Sequence, residues 1–208
     1  MKTEDLAQFD DSLTLRYTRV FPHPIDLVWE AVTNEEHVET WLLPVTRIER
    51  KLGGKFSFSW GSPEGTEGSS AGTIDVFDPP NTIRFTEADG SYLAFELSQQ
   101  GDGTRLDFVQ HFAPGSSLGD QEWPGGDQPC GPESPWRPGF MAGFHQFLDV
   151  LGDFLDGTWT RAQAQSFIDA AHNGETLTSV PHEQPDRQAE LIERYRAHAR
   201  ETCPHIAD

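Results

Sequence analysis

Between residues 45 and 112 the sequence breaks into about six short runs of alternating apolar and polar side chains, most of them separated by connections of only a few residues. Hairpin-length connections leave no room for a crossover, so consecutive runs must pair antiparallel as a meander. The breaks fall at Gly53-Gly54, Asp78-Pro79-Pro80-Asn81, Asp89-Gly90 and Gly101-Asp102-Gly103, with one longer Gly/Ser-rich loop over 61–70. An earlier alternating run over residues 12–21, with Leu13, Leu15, Tyr17 and Phe21 on one side, brings the predicted sheet to about seven strands.

The rest of the chain reads as helix and loop. Pro22 and Pro24 stop the first strand, and Ile25, Val28, Trp29 and Val32 then recur at helical spacing. Asn34 is placed to cap a second short helix that turns Val38 and Trp41 inward. Residues 113–139 are rich in Gly, Pro and Ser and predict a loop. From Trp136–Phe140 to Leu155, a broad face carrying Phe144, Phe147, Leu148 and Leu151 predicts a helix about 25–30 Å long, enough to cross a whole sheet. Two weaker helical patterns follow, over 160–172 and 186–201, and the stripe Leu191, Ile192 and Tyr195 predicts that the second docks on its own domain. The organisation is thus an extension over 1–11, a main domain over 12–157 and a helical tail over 158–208.

With 34 acidic and 15 basic side chains, the net charge of −19 repels phosphate backbones and anionic membranes, which argues against nucleic acid as a partner. No stretch has the length of a membrane span, so no membrane insertion is expected. The acidic residues 1–11 lack the basic start and apolar run of a signal peptide, which predicts a cytoplasmic protein. Cys130 and Cys203 belong to no paired motif, and no cofactor or metal site is expected.

Strand parity places side chains on faces, because residues opposite one another in a sheet point the same way. A three-residue loop from Asp89 to Ser91 and a four-residue loop at each of 78–81 and 100–103 predict three inward rows. These are Val76–Ile83–Leu97–Leu106, then Ile74–Phe85–Phe95–Phe108, then Gly72–Glu87–Leu93–Gln110. The third carries polar groups, and Gly72 is expected to leave room beside the Glu87 carboxylate. Outward positions such as Thr82, Arg84 and Asp107 are polar, so one face meets water and the other must be covered. A single helix cannot fill the hollow of a strongly curved sheet. An apolar cavity is therefore expected, walled by Phe85, Phe95 and Phe108 from the sheet and by Phe140 and Phe144 from the long helix. Trp41, Phe58 and Trp60 are candidate lining residues, with ordinary core packing as the plainer alternative. Glu87 has its own plainer alternative, a carboxylate near a strand end that reaches solvent. His145, on the flank of the long helix, and His111, on the outer face, are expected to be exposed.

Phe21-Pro22-His23-Pro24, followed by Val28-Trp29-Glu30-Ala31-Val32 and Asn34-Glu35-Glu36-His37-Val38 up to Trp41, resembles the opening of the START-like (SRPBCC) superfamily, in the branch named after the activator of the heat-shock protein 90 ATPase. The resemblance continues through Gly53-Gly54-Lys55-Phe56, Asp78-Pro79-Pro80 and Ile83-Arg84-Phe85 to the helix from Gly139 to Leu155, and covers residues 12–157. Gly139-Phe140 stands where such proteins often have Gly-Trp. The resemblance implies an α+β helix-grip fold of the Bet v type and a cavity for a small apolar or amphipathic molecule, and it transfers no catalytic residue. Three functions follow as expectations. The first is a binder of a small hydrophobic ligand. The second is a cyclase- or aromatase-type enzyme with Glu87 as a buried acid or base. The third is a chaperone-associated module with a protein partner, implied by the branch name alone.

Overall fold

The computed structural model describes residues 6–61, 69–116, 136–175, 177, 181 and 184–202. The long loop expected over 113–139 falls mostly outside the described residues, as do Cys130 and Cys203. An antiparallel sheet of eight strands curves around one long helix, the helix-grip arrangement. In chain order the elements are β1 (Gln8–Asp11), β2 (Thr14–Phe21), α1 (Ile25–Thr33), α2 (Glu35–Trp41), β3 (Val45–Ile48), β4 (Lys55–Ser59), β5 (Ser70–Asp78), β6 (Thr82–Glu87), β7 (Tyr92–Gln100), β8 (Gly103–His111), α3 (Pro138–Leu155), α4 (Arg161–His172) and α5 (Pro185–Thr202). The spatial order is β1-β2-β8-β7-β6-β5-β4-β3, so the meander from β3 to β8 closes on β2. The strand beyond the expected seven is β1, which pairs with β2 at the sheet edge.

Local chemistry sets the helix boundaries. The Asn34 side chain accepts from the backbone N–H groups of Glu36 and His37 at 3.0 and 3.4 Å, which caps α2 as expected. Pro138 occupies the first turn of α3, where a missing N–H costs nothing, and Gly157 at φ 74° follows its end. Eighteen residues make α3 about 27 Å long. It buries Met141, Leu148 and Leu151 against the sheet, and Tyr17 on β2 donates to the Met141 carbonyl oxygen at 3.2 Å.

The register departs from the expected rows in two places. Leu97–Leu106, Phe95–Phe108 and Leu93–Gln110 pair as expected across β7 and β8, around a tighter turn of two residues, Gly101 and Asp102. Between β6 and β7 the strands slide by two residues, so Phe85 faces Leu93 and Ile83 faces Phe95. The loop does have three residues, but they are Ala88, Asp89 and Gly90. Glu87 N–H bonds the Ser91 carbonyl at 2.8 Å, and Gly90 takes φ 94°. In such loops the left-handed residue comes last, so the glycine must close the turn rather than sit at its centre. Between β5 and β6 a bulge at Asp75 shifts the far half by one residue, which puts Phe77 rather than Val76 opposite Ile83. Phe77 packs there against Trp29, with ring centroids 5.9 Å apart.

The tail packs onto this domain. Glu39 on α2 is buried and accepts from Arg161 Nη2 and His172 Nε2, each at 3.0 Å, at the two ends of α4. On α5, Leu191, Tyr195 and Ala199 are fully buried and Ile192 partly so. The Tyr195 hydroxyl accepts from Ala7 N–H at 3.1 Å and donates to His145 Nδ1 at 3.0 Å, while His198 Nε2 donates to the Ala7 carbonyl at 3.0 Å. The expected exposure of His145 is thereby overturned, since α5 covers the flank of α3 and leaves that ring with no accessible surface. His111 is half-buried and stacks on Tyr92 at 4.9 Å.

Candidate functional site

The inward side chains of the sheet and of α3 build a belt of aromatic rings. Phe58 on β4 touches Phe85 on β6 at 5.1 Å, Phe85 touches Phe95 on β7 at 6.3 Å, and Phe95 stacks on Phe108 of β8 at 5.0 Å. The belt crosses to α3 where Phe108 stacks on Phe144 at 5.6 Å. It runs along α3 from Phe144 to Phe147 at 5.7 Å and returns to the β4 end where Phe147 meets Trp60 at 6.1 Å. Phe140 extends it toward the start of α3, 4.9 Å from Phe144.

Burial divides the belt. On the sheet side Phe58, Phe85, Phe95 and Phe108 are each 1 % exposed. On α3 Phe140, Phe144 and Phe147 keep accessible surface, as do Trp60 just after β4 and Leu93 on the inward face of β7. Interior-facing side chains normally close-pack, so accessible surface on neighbouring inward rings makes this wall the candidate site among the described residues. Phe147 is a member that sequence reasoning left out of the site, although its spacing from Phe144 puts both on one helical face. Trp41, a predicted lining residue, is 1 % exposed and touches Phe95, but its indole N–H is bonded to the Ala31 carbonyl at 2.9 Å and pins α1 to α2.

The four residues expected in one polar row are split. Leu93 pairs with Gln110 in the row of Phe85, whereas Glu87 and Gly72 pair one row nearer the rim. By residue rise and strand spacing Glu87 and Gln110 lie roughly 12 Å apart, too far to meet one ligand group together. Nor does Gly72 leave room. A Cβ built there would stand 2.1 Å from the Thr86 carbonyl oxygen, so the glycine permits a close backbone approach.

Glu87 is half-buried, and burial pushes its carboxyl above the usual range. A hydrogen bond from the Ser70 hydroxyl at 2.9 Å opposes that shift, and the Asp89 charge adds to it. Nothing in the sequence singled out Ser70, which begins a strand directly after a Gly/Ser-rich loop. Gln110 is 1 % exposed, and its Oε1 has no hydrogen-bond partner among the described residues. No group of His, Cys, Asp and Glu suited to a metal ion occurs among the described residues. Among them, too, no helix is long and apolar enough to cross a membrane.

The family model for Activator of Hsp90 ATPase homolog 1-like protein, a START-like family, matches residues 22–156, more than half of the chain. No curated protein matches the sequence. Among solved structures, a protein from Rhodobacter sphaeroides aligns with a TM-score of 0.57 at 18 % identity, over 73 % of this chain and 97 % of its own. The solution structure of CalU16 from Micromonospora echinospora aligns at 0.56 and 17 %, over 91 % of this chain and 85 % of its own. DynU16, from the dynemicin biosynthetic locus, aligns at 0.51 and 20 %, over 71 % of this chain and 49 % of its own. Identities this low carry the fold alone.

Proposed function

We propose that this chain, which belongs to the Activator of Hsp90 ATPase homolog 1-like family, holds a small, largely apolar molecule between the open end of its sheet and the first half of α3. The observation that carries this reading is the accessible surface left on Leu93, Phe140, Phe144, Phe147 and Trp60, although all five belong to the interior wall. A flat apolar ligand slid against these rings would remove that surface from water, at roughly 25 cal/mol for each Å² covered. Phe85, Phe95 and Phe108 act as the rigid floor beneath it.

Native mass spectrometry of the purified protein tests the reading. The expected result is an adduct of small-molecule mass that is lost on denaturation. A bare chain that also takes up none of a panel of neutral polycyclic aromatics would overturn it.

A proton-transfer enzyme using the same space is the second reading, favoured by the half-buried Glu87 with its raised pKa and its Ser70 partner. Under it, a mixture of two related adducts is recovered, and Glu87→Gln lowers turnover by roughly a hundredfold or more while binding persists. A chaperone-associated role has only the family's name behind it.

A further inference from the structure

Gln110 stands in the middle of an otherwise apolar wall. Its neighbours two residues away along the chain are Phe108 on β8 and Phe112 just after it, and both reach α3. Phe108 stacks on Phe144 at 5.6 Å, and Phe112 meets Phe140 at 5.8 Å. Phe140 and Phe144 are themselves only 4.9 Å apart, so Gln110 stands in the chain between the two residues that meet this pair of rings. Across the sheet it is flanked by Leu15 on β2, which is fully buried, and by Leu93 on β7, which is not.

An amide in this setting needs a reason. A buried carbonyl oxygen without a partner costs about 1–3 kcal/mol, and a leucine at this position would remove that cost. Oε1 of Gln110 has no hydrogen-bond partner among the described residues, and the side chains of its sheet neighbours Leu15, Leu93 and Phe108 cannot supply one. Oε1 itself has no accessible surface, and the neighbours that keep some are Leu93, Phe140 and Phe144, which are also the proposed ligand contacts, so a ligand reaches the oxygen by displacing those side chains.

We infer that Gln110 is the specificity-determining residue of the cavity, and that it selects a neutral aromatic ligand carrying a hydroxyl or N–H donor over an equally large hydrocarbon. The inference rests on the ligand-binding reading above. In the free protein the acceptor stays unsatisfied. The ligand's donor then gains a hydrogen bond made at no desolvation cost to the protein side, while the rest of its surface covers Phe140 and Phe144. A hydrocarbon of the same outline leaves the orphan in place and binds more weakly.

The test is displacement of the fluorescent probe N-phenyl-1-naphthylamine by 2-naphthol and by 2-methylnaphthalene, which differ by one hydroxyl in place of one methyl. The wild-type chain is expected to favour the naphthol. In Gln110→Leu that preference should fall by about tenfold or more, the worth of one hydrogen bond to an otherwise orphaned group. The unfolding temperature of the ligand-free variant should be equal or higher. An unchanged preference overturns the inference and leaves the cavity standing, whereas failure of the probe to bind the wild type overturns the binding reading and this inference with it. If Gln110→Leu does not fold, Gln110→Met carries the same comparison with an unbranched side chain. Failure of both to fold would make the amide a structural partner and sink the assignment.

Discussion

Two positions show how much a single residue decides here. At Gly72 the β5 and β6 backbones approach so closely that a methyl group would stand 2.1 Å from the Thr86 carbonyl oxygen. Gly72→Ala should therefore destabilise the chain by about 1–3 kcal/mol through overpacking, read as a lower urea midpoint at unchanged slope. An unaltered midpoint would mean that the strands lie further apart. At Tyr195 one hydroxyl serves both Ala7 N–H and His145 Nδ1. Tyr195→Phe leaves two buried groups without partners at almost no change in volume, and its expected cost is about 1–3 kcal/mol in the same measurement. The importance of Tyr195 is half legible in the sequence. Its place on an apolar stripe predicts burial, but its two hydrogen-bond partners lie 188 and 50 residues away.

At the scale of elements, α5 matters most for what it does to α3. By covering His145 it leaves the imidazole in a site where burial, with the Arg19, Arg187 and Arg194 charges adding to it, pushes its pKa down to about 3 from 6.5. The other charged group facing it is Asp149, whose carboxyl burial raises while Arg19 and Arg187 pull it back. Because the folded pKa is depressed, the unfolded chain takes up the His145 proton first as pH falls. The stabilisation is complete above about 6.5 and is lost progressively down toward about 3, at no more than about 1.4 kcal/mol per pH unit. The difference between wild-type and His145→Gln stability curves isolates this group. It should shrink across that window, and a flat difference would mean that the ring is solvated.

The elements themselves were largely legible. Alternation set the strands from β2 to β8, and Asn34 marked a helix start. Three things were not legible. β1 carries the edge sequence Gln8-Phe9-Asp10-Asp11, which has no alternating face to detect. The slide between β6 and β7 preserves parity, so burial alone cannot distinguish it from the expected register, and only the turn geometry at Gly90 decides it. The bulge at Asp75 likewise leaves no mark in composition.

For the whole molecule, the split of the expected polar row changes what the proposed ligand site can do. Glu87 is half-buried at the end of β6 and Gln110 is buried on the inward face of β8, so the inner wall carries one ionisable group near the sheet end and one neutral amide further in. The aromatic members were readable because parity and helical spacing put each on an inward face. The accessible surface left on Leu93, Phe140 and Phe144 was not readable, since it depends on how α3 packs on the sheet. Leu93 is the sheet-side member of the proposed ligand contacts, so the central claim is tested by binding of N-phenyl-1-naphthylamine to the wild-type chain and to Leu93→Trp. The account predicts saturable binding to the wild type, and at least a tenfold loss in Leu93→Trp with an unfolding temperature close to the wild-type value, because the larger ring occupies empty volume. Undiminished binding in Leu93→Trp, or a variant that unfolds because no space was there, would contradict it.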